Sequence, residues 1–175
     1  MQQLPCIQGE RVVLRPITDA DTDRIVAWRN TPAIMQNFIF REKFTAEMHR
    51  NWLATKVASG LVVQYIIEEK ATGRPVGSVY FRDVDHNNHS AEYGIFIGEP
   101  DARGKGIGTE TARLFTEFGY KTLGLHRISL RLLAENEPAR RSYEKAGFVL
   151  EGTFRDMVLL DGKYRDIVFM AKLAP

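Results

Sequence analysis

The stretch Arg103-Gly104-Lys105-Gly106-Ile107-Gly108-Thr109-Glu110 constrains the fold more than any other part of the chain, because alternating glycines sit where an apolar strand stops and an amphipathic helix begins. Upstream, Ile95-Phe96-Ile97 reads as the core of a strand. Downstream, Ile107, Thr111, Leu114, Phe115 and Phe118 recur at helical spacing and bury one face. A strand, a glycine loop and a helix in that order aim backbone N–H groups at an anion. The glycines leave those amides uncovered and accept positive φ, while the helix start adds its unpaired donors and the positive end of its dipole. A diphosphate fits this description.

Spacing narrows which diphosphate. A Walker loop requires Gly-Lys-Ser/Thr after four intervening residues, and here Lys105 is followed by a glycine. A dinucleotide fingerprint requires Gly-x-Gly-x-x-Gly, and from Gly104 the third glycine arrives one residue early, at Gly108, with Thr109 in its place. A nicotinamide-dependent oxidoreductase is therefore disfavoured. The pattern that matches is Arg/Gln-x-x-Gly-x-Gly/Ala, carried by Arg103, Gly106 and Gly108. It resembles the coenzyme-A loop of the GNAT superfamily of N-acetyltransferases.

The rest of the chain is organised around that unit. With 175 residues and 44% hydrophobic content, residues 1–175 read as one domain able to bury most of its apolar surface. A formal charge of +2, with 26% charged residues of both signs, argues against a nucleic-acid partner. Small partners are expected. Cys6 stands alone, so no internal disulfide forms. No apolar run approaches transmembrane length and the N-terminus lacks a signal-peptide core, which gives the expectation of a cytoplasmic chain with no membrane partner.

In chain order, Arg11 to Pro16 is a short strand, and Thr18 caps a first helix through Ile25, Val26 and Trp28 that ends near Asn30-Thr31-Pro32. An aromatic, irregular loop from Met35 to Phe44 leads to a second helix opened by Thr45 and closed at Ser59-Gly60. Leu61–Glu68, Val76–Asp83 and Ala91–Gly98 read as an antiparallel meander. After the glycine loop and a helix to about Leu123, the strand Arg127–Leu133 is reached by a helical crossover and so lies parallel to the strand before the loop. Asn136-Glu137-Pro138 starts another helix, which Gly147 stops, and the chain closes as a hairpin of Val149–Leu160 and Tyr164–Leu173. The expected class is α/β (α+β): a mixed, mostly antiparallel sheet with a central strand-helix-strand unit.

The segment Leu133-Ala134-Glu135-Asn136-Glu137-Pro138-Ala139-Arg140-Arg141-Ser142-Tyr143-Glu144-Lys145-Ala146-Gly147-Phe148 looks like the closing helix of GNAT enzymes. Glu92-Tyr93-Gly94-Ile95 and the ending Asp161-Gly162-Lys163-Tyr164-Arg165-Asp166 are similar to the group holding ribosomal-protein N-terminal, spermidine and amino-sugar acetyltransferases. One departure is an extra residue near Glu99. The resemblance implies a GNAT-like domain that uses acetyl-CoA as co-substrate and moves its acetyl group to a primary amine by direct attack. It assigns Phe96, Ile97, Gly98, Arg103, Gly104, Lys105, Gly106, Ile107, Gly108, Thr109 and Asn136 to the carrier.

A primary amine with a pKa of roughly 10 is mostly protonated at neutral pH, so a base is useful. Glu92 on the strand leading into the loop, or a water chain, takes that place. Tyr143 lies seven residues after Asn136, almost two helical turns, and its phenol is the candidate acid for the leaving sulfur. Related enzymes shape the acceptor pocket with the segments that here hold Arg29, Asn30 and Phe38. A polyamine acceptor would want several carboxylates, a nucleotide-linked amino sugar arginines and aromatic groups, and a protein N-terminus an open groove; all three stay open. His86 and His89, near Asp83 and Asp85, read as a solvated hairpin tip, so no metal is expected. The expected partners are a small-molecule or peptide amine and, as a further candidate, a second copy of the chain as a homodimer. A non-catalytic acyl-CoA sensor would keep Arg103, Gly106 and Gly108 but need neither Glu92 nor Tyr143.

Overall fold

Alternation along the middle strands decides which side of the sheet each residue serves. In the computed structural model, which describes residues 4–175, the strands are β1 (Ile7–Gln8), β2 (Val12–Pro16), β3 (Val63–Glu69), β4 (Pro75–Asp85), β5 (Ser90–Ile97), β6 (Arg127–Leu133), β7 (Val149–Leu160) and β8 (Lys163–Leu173). They form one sheet in the order β1-β2-β3-β4-β5-β6-β8-β7. Every pairing is antiparallel except β5 with β6, which is parallel as the crossover requires.

The helices are α1 (Thr22–Arg29), α2 (Pro32–Met35), α3 (Ala46–Trp52), α4 (Ile107–Lys121) and α5 (Glu137–Lys145). One face of the sheet packs on α4, where Phe81 stacks on Phe115 at 4.3 Å between ring centres and Tyr65 meets the same ring edge-on at 5.3 Å. The opposite face carries Ile66 and Phe96 against Trp28 of α1, Ile34 of α2 and Phe44. Cross-strand register places Ser78 opposite Phe96, Tyr80 opposite Gly94 and Arg82 opposite Glu92. Because these pairs alternate with the buried Val79, Phe81 and Tyr93, they belong to the face under α1–α3.

Two segments join that face firmly. Asp21, buried ahead of α1, accepts from Arg15 Nη1 at 2.8 Å and Nη2 at 2.7 Å and from the Thr18 N–H at 3.0 Å. Asp21 thus ties α1 to β2. At the other end of α1 the Trp28 ring lies where a side chain at residue 98 would stand, since a Cβ on Gly98 would come within 2.2 Å of it. Trp28 Nε1 then reaches Glu99 at 2.7 Å.

The chain near Glu99, where one extra residue was expected, is tied to β4 twice. Both Gly98 and Glu99 donate their N–H to the Val76 carbonyl, at 2.8 and 3.1 Å. The first helix stops at Arg29 as expected, but the chain restarts a helical turn at Pro32, where a residue lacking an N–H costs nothing in the first turn. The two-residue β1 was too short to show a periodicity. The second helix widens after Trp52, where Ala58 N–H reaches back to the Leu53 carbonyl at 2.9 Å.

Candidate functional site

The glycine loop folds as its sequence requires. Gly104 and Gly106 take φ of 73° and 78°, the left-handed region in which a Cβ is strained, and Gly106 forms the N-cap of α4. Among the described residues, no N–H from Gly104 to Thr109 donates to any protein group; the first to do so is Glu110, to the Gly106 carbonyl at 3.0 Å. Six successive main-chain donors therefore stand uncommitted at a helix start. The loop is held from both sides. Ile107 is buried beneath it, and Arg103 folds back so that Nε meets the Ile97 carbonyl at 3.0 Å and Nη2 the Gly98 carbonyl at 3.3 Å. Thr109 Oγ1 lies 2.9 Å from Ser142 Oγ of α5.

Beside the loop the sheet opens. β5 and β6 pair only from Ser90 to Glu92 against Arg127 to Ser129, so beyond residue 92 the two parallel strands part. Gly98 donates to β4, and strand alternation gives Phe96 and Gly94 the same direction. The free amides on the open side belong instead to Ile95 and Ile97. Of the two strand residues assigned to the carrier, Ile97 turns its amide to the opening, whereas Phe96 turns its amide into the sheet and its ring to the face under α1–α3.

A cavity of about 1150 Å³ runs from the loop through this opening to the face under α1–α3. It gathers Arg29, Phe38, Glu92, Phe96, Ile97, Arg103, Gly104, Gly106, Gly108, Thr109, Asn136 and Tyr143 from separate parts of the chain. Four of the expected site residues do not line it. Lys105 is exposed on the outer side of the loop, and Ile107 is buried in the core beneath the loop. Gly98 lies under Trp28, and the Asn30 carboxamide is used up in holding Phe44, donating to its carbonyl and accepting from its N–H at 2.8 Å each.

Tyr143 projects from α5 toward the opening and meets Tyr93 edge-on at 6.0 Å. Burial raises its pKa well above the ordinary phenol, with Tyr80 adding to the shift, so it holds its proton at neutral pH. Tyr93 is 3% exposed and its hydroxyl has no partner among the described residues. Asn136 caps α5 by accepting from the Ala139 N–H at 3.4 Å, which leaves its amide group free to donate.

Glu92 is less free than a strand glutamate on its own. Its Oε1 accepts from Arg82 and from Arg131 Nε, the latter at 3.1 Å, while Oε2 has no partner among the described residues. Tyr80, Arg82 and Arg131 went unnoticed in the sequence, although Tyr80 and Arg82 share with Ser78 the period-2 spacing that places them on the cavity face. The Arg29 guanidinium lies 4.5 Å from the Phe38 ring centre and 4.2 Å from that of Phe44.

The chain resembles known proteins over most of its length. The family model described as the acetyltransferase (GNAT) domain matches residues 11–149. The spermidine N(1)-acetyltransferase of Escherichia coli strain K12 is 29% identical over 160 residues, covering 91% of this chain and 84% of that protein. Among solved structures, the spermidine N-acetyltransferase of Vibrio cholerae in complex with CoA and spermine superposes with a TM-score of 0.87 at 24% identity, covering 94% of this chain and 96% of that one. A dodecameric structure of spermidine N-acetyltransferase from the same organism gives a TM-score of 0.80 at 24% identity, over 94% and 95% of the two chains. At that identity the structural likeness is one of fold.

Proposed function

The chain belongs to the GNAT acetyltransferase family, and from that premise we propose that residues 1–175 act as one domain that moves the acetyl group of acetyl-CoA directly onto a primary amine. The observation that carries this reading is the run of uncommitted N–H groups from Gly104 to Thr109, set at the mouth of the same cavity that holds the parted strands and Tyr143. A diphosphate on those amides, with the thioester arm laid along β5, brings the reactive carbon between the two faces of the sheet.

The amine nitrogen attacks the thioester carbon, an N–C bond forms, and the carbonyl oxygen takes up negative charge. The Ile95 and Ile97 amides are the donors for that oxygen and for the carrier's own amides. The C–S bond then breaks, and the electron pair leaves on sulfur, which takes a proton from the Tyr143 hydroxyl; the phenolate so formed recovers a proton from solvent. The proton given up by the amine goes to solvent, with Glu92 Oε2 or a water held by it as the first acceptor. Asn136 bonds the thioester arm through its free amide.

The spermidine acetyltransferase relatives support an amine as acceptor. A homodimer is supported by the long, exposed β7, and self-association by the dodecameric structure of the Vibrio cholerae spermidine N-acetyltransferase. No helix among the described residues is long and apolar enough to cross a membrane, in keeping with a cytoplasmic enzyme.

The test is thiol release from acetyl-CoA across a panel of polyamines, amino sugars, amino acids and peptides with a no-acceptor blank. Acceptor-dependent release of thiol is the expected result. Binding of coenzyme A with release equal to the blank for every amine would favour a non-catalytic acyl-CoA sensor.

A further inference from the structure

We propose that the amine accepted by this chain also carries an anionic group, a carboxylate or a phosphate, which Arg29 grips, and that polyamines are therefore poor acceptors. The proposal rests on the acetyl-transfer reading above and names the acceptor class of the same site.

Arg29 is a cation without a counter-ion. Flanked by the Phe38 and Phe44 rings, it makes no hydrogen bond and no ion pair among the described residues, so none of its five N–H donors is met by protein. Burial lowers its pKa, the neighbouring Arg82 lowers it further, and Tyr80 is the only opposing influence. An arginine stacked on aromatic faces keeps its edge open, and that edge matches a carboxylate or a phosphate in two parallel bonds.

The charge around it points the same way. Among the described residues, Glu92 is the only carboxylate lining the cavity, against seven lysine and arginine side chains. It is already shared between Arg82 and Arg131. Arg41, nearby in the same loop as Phe38, is paired with Asp161 and so does not add an unmet charge. A polyamine brings several ammonium groups and would need carboxylates that this cavity does not hold; an anionic amine brings the partner that Arg29 lacks.

The test compares kcat/KM for spermidine, glucosamine, glucosamine 6-phosphate and an N-terminal aspartyl dipeptide. Glucosamine and its 6-phosphate share the amine and differ in the anion, while the phosphate and carboxylate arms separate the two sources of negative charge. At least one anionic amine is expected to exceed spermidine, and its Arg29→Gln KM to rise by about 10- to 100-fold. Coenzyme A affinity should stay unchanged, and Arg29→Lys should recover part of the loss. Thermal unfolding of both variants keeps a folding defect apart from a binding one.

Spermidine as the best acceptor, or an anionic amine indifferent to Arg29→Gln, would overturn the proposal while leaving acetyl transfer intact. Failure of every amine while coenzyme A still binds would overturn both.

Discussion

At the scale of single residues, the chemistry turns on a phenol and a carboxylate whose surroundings differ sharply. Tyr143 stands beside Tyr93 and near Tyr80, and its burial-raised pKa keeps a proton on it throughout the neutral range. Replacing it by phenylalanine retains the ring that packs on Tyr93 and Phe148 and removes only the donor. Tyr143→Phe is expected to lower kcat by about 10²-fold or more. Coenzyme A affinity should hold within about twofold, because the loop donors are untouched. Steady-state kinetics with parallel calorimetry reads both, and an unchanged kcat would remove Tyr143 as the acid. Glu92 is harder to test alone, since its removal would leave Arg82 and Arg131 facing each other across the opening.

At the scale of elements, the join between β2 and the start of α1 is sensitive to acid. Burial raises the pKa of Asp21, but the bonds from Arg15 and Thr18 outweigh it, so the folded carboxyl titrates below its ordinary value. A depressed carboxylate contributes stability in full above the unfolded pKa of about 4, and that contribution is lost as pH falls toward the lower folded value. Asp21→Asn should cost about 2 kcal/mol at pH 7, less than for a fully enclosed pair because Arg15 keeps Glu68. The cost should shrink below pH 4. Denaturant unfolding at pH 7 and pH 3 measures this; an equal difference at both would show that the charge is not its source.

The same scale explains what the sequence could and could not disclose. The glycine loop was legible because positive φ, missing side chains and a helix start all act within a few residues. The meander and the crossover were legible from alternation and chain order. The splay of β5 from β6 has no local signature beyond the crossover, so the identity of its free amides had to wait for the register that places Gly98 against β4. The Arg82–Glu92–Arg131 cluster joins three strands, and the seat of Arg29 depends on a loop folding back to bring Phe38 and Phe44 around it. Asn30 was expected at the site because related enzymes shape the acceptor pocket with its segment, yet its side chain is turned to the Phe44 backbone by a loop fold that the sequence does not disclose.

At the scale of the whole molecule, the edge of the sheet is unfinished. β7 is the outermost strand, and Val149, Phe154 and Leu159 along it are 67%, 53% and 60% exposed. A long apolar edge invites pairing with another chain. The chain is expected to associate with itself through β7, and Phe154→Lys with Leu159→Lys should shift its mass by light scattering toward the monomer. A monomeric parent chain would rule this out.

The central claim is that the uncommitted amides of residues 104–109 hold the carrier's phosphates, and it is tested most directly by backbone amide NMR shifts on adding coenzyme A or pantetheine, which shares the thiol arm but lacks the diphosphate. Coenzyme A should move the Gly104 to Thr109 amide signals more than any others in the chain and pantetheine should leave them in place. If those signals stay fixed with coenzyme A, or move equally with pantetheine, the loop does not bind phosphate and the account fails.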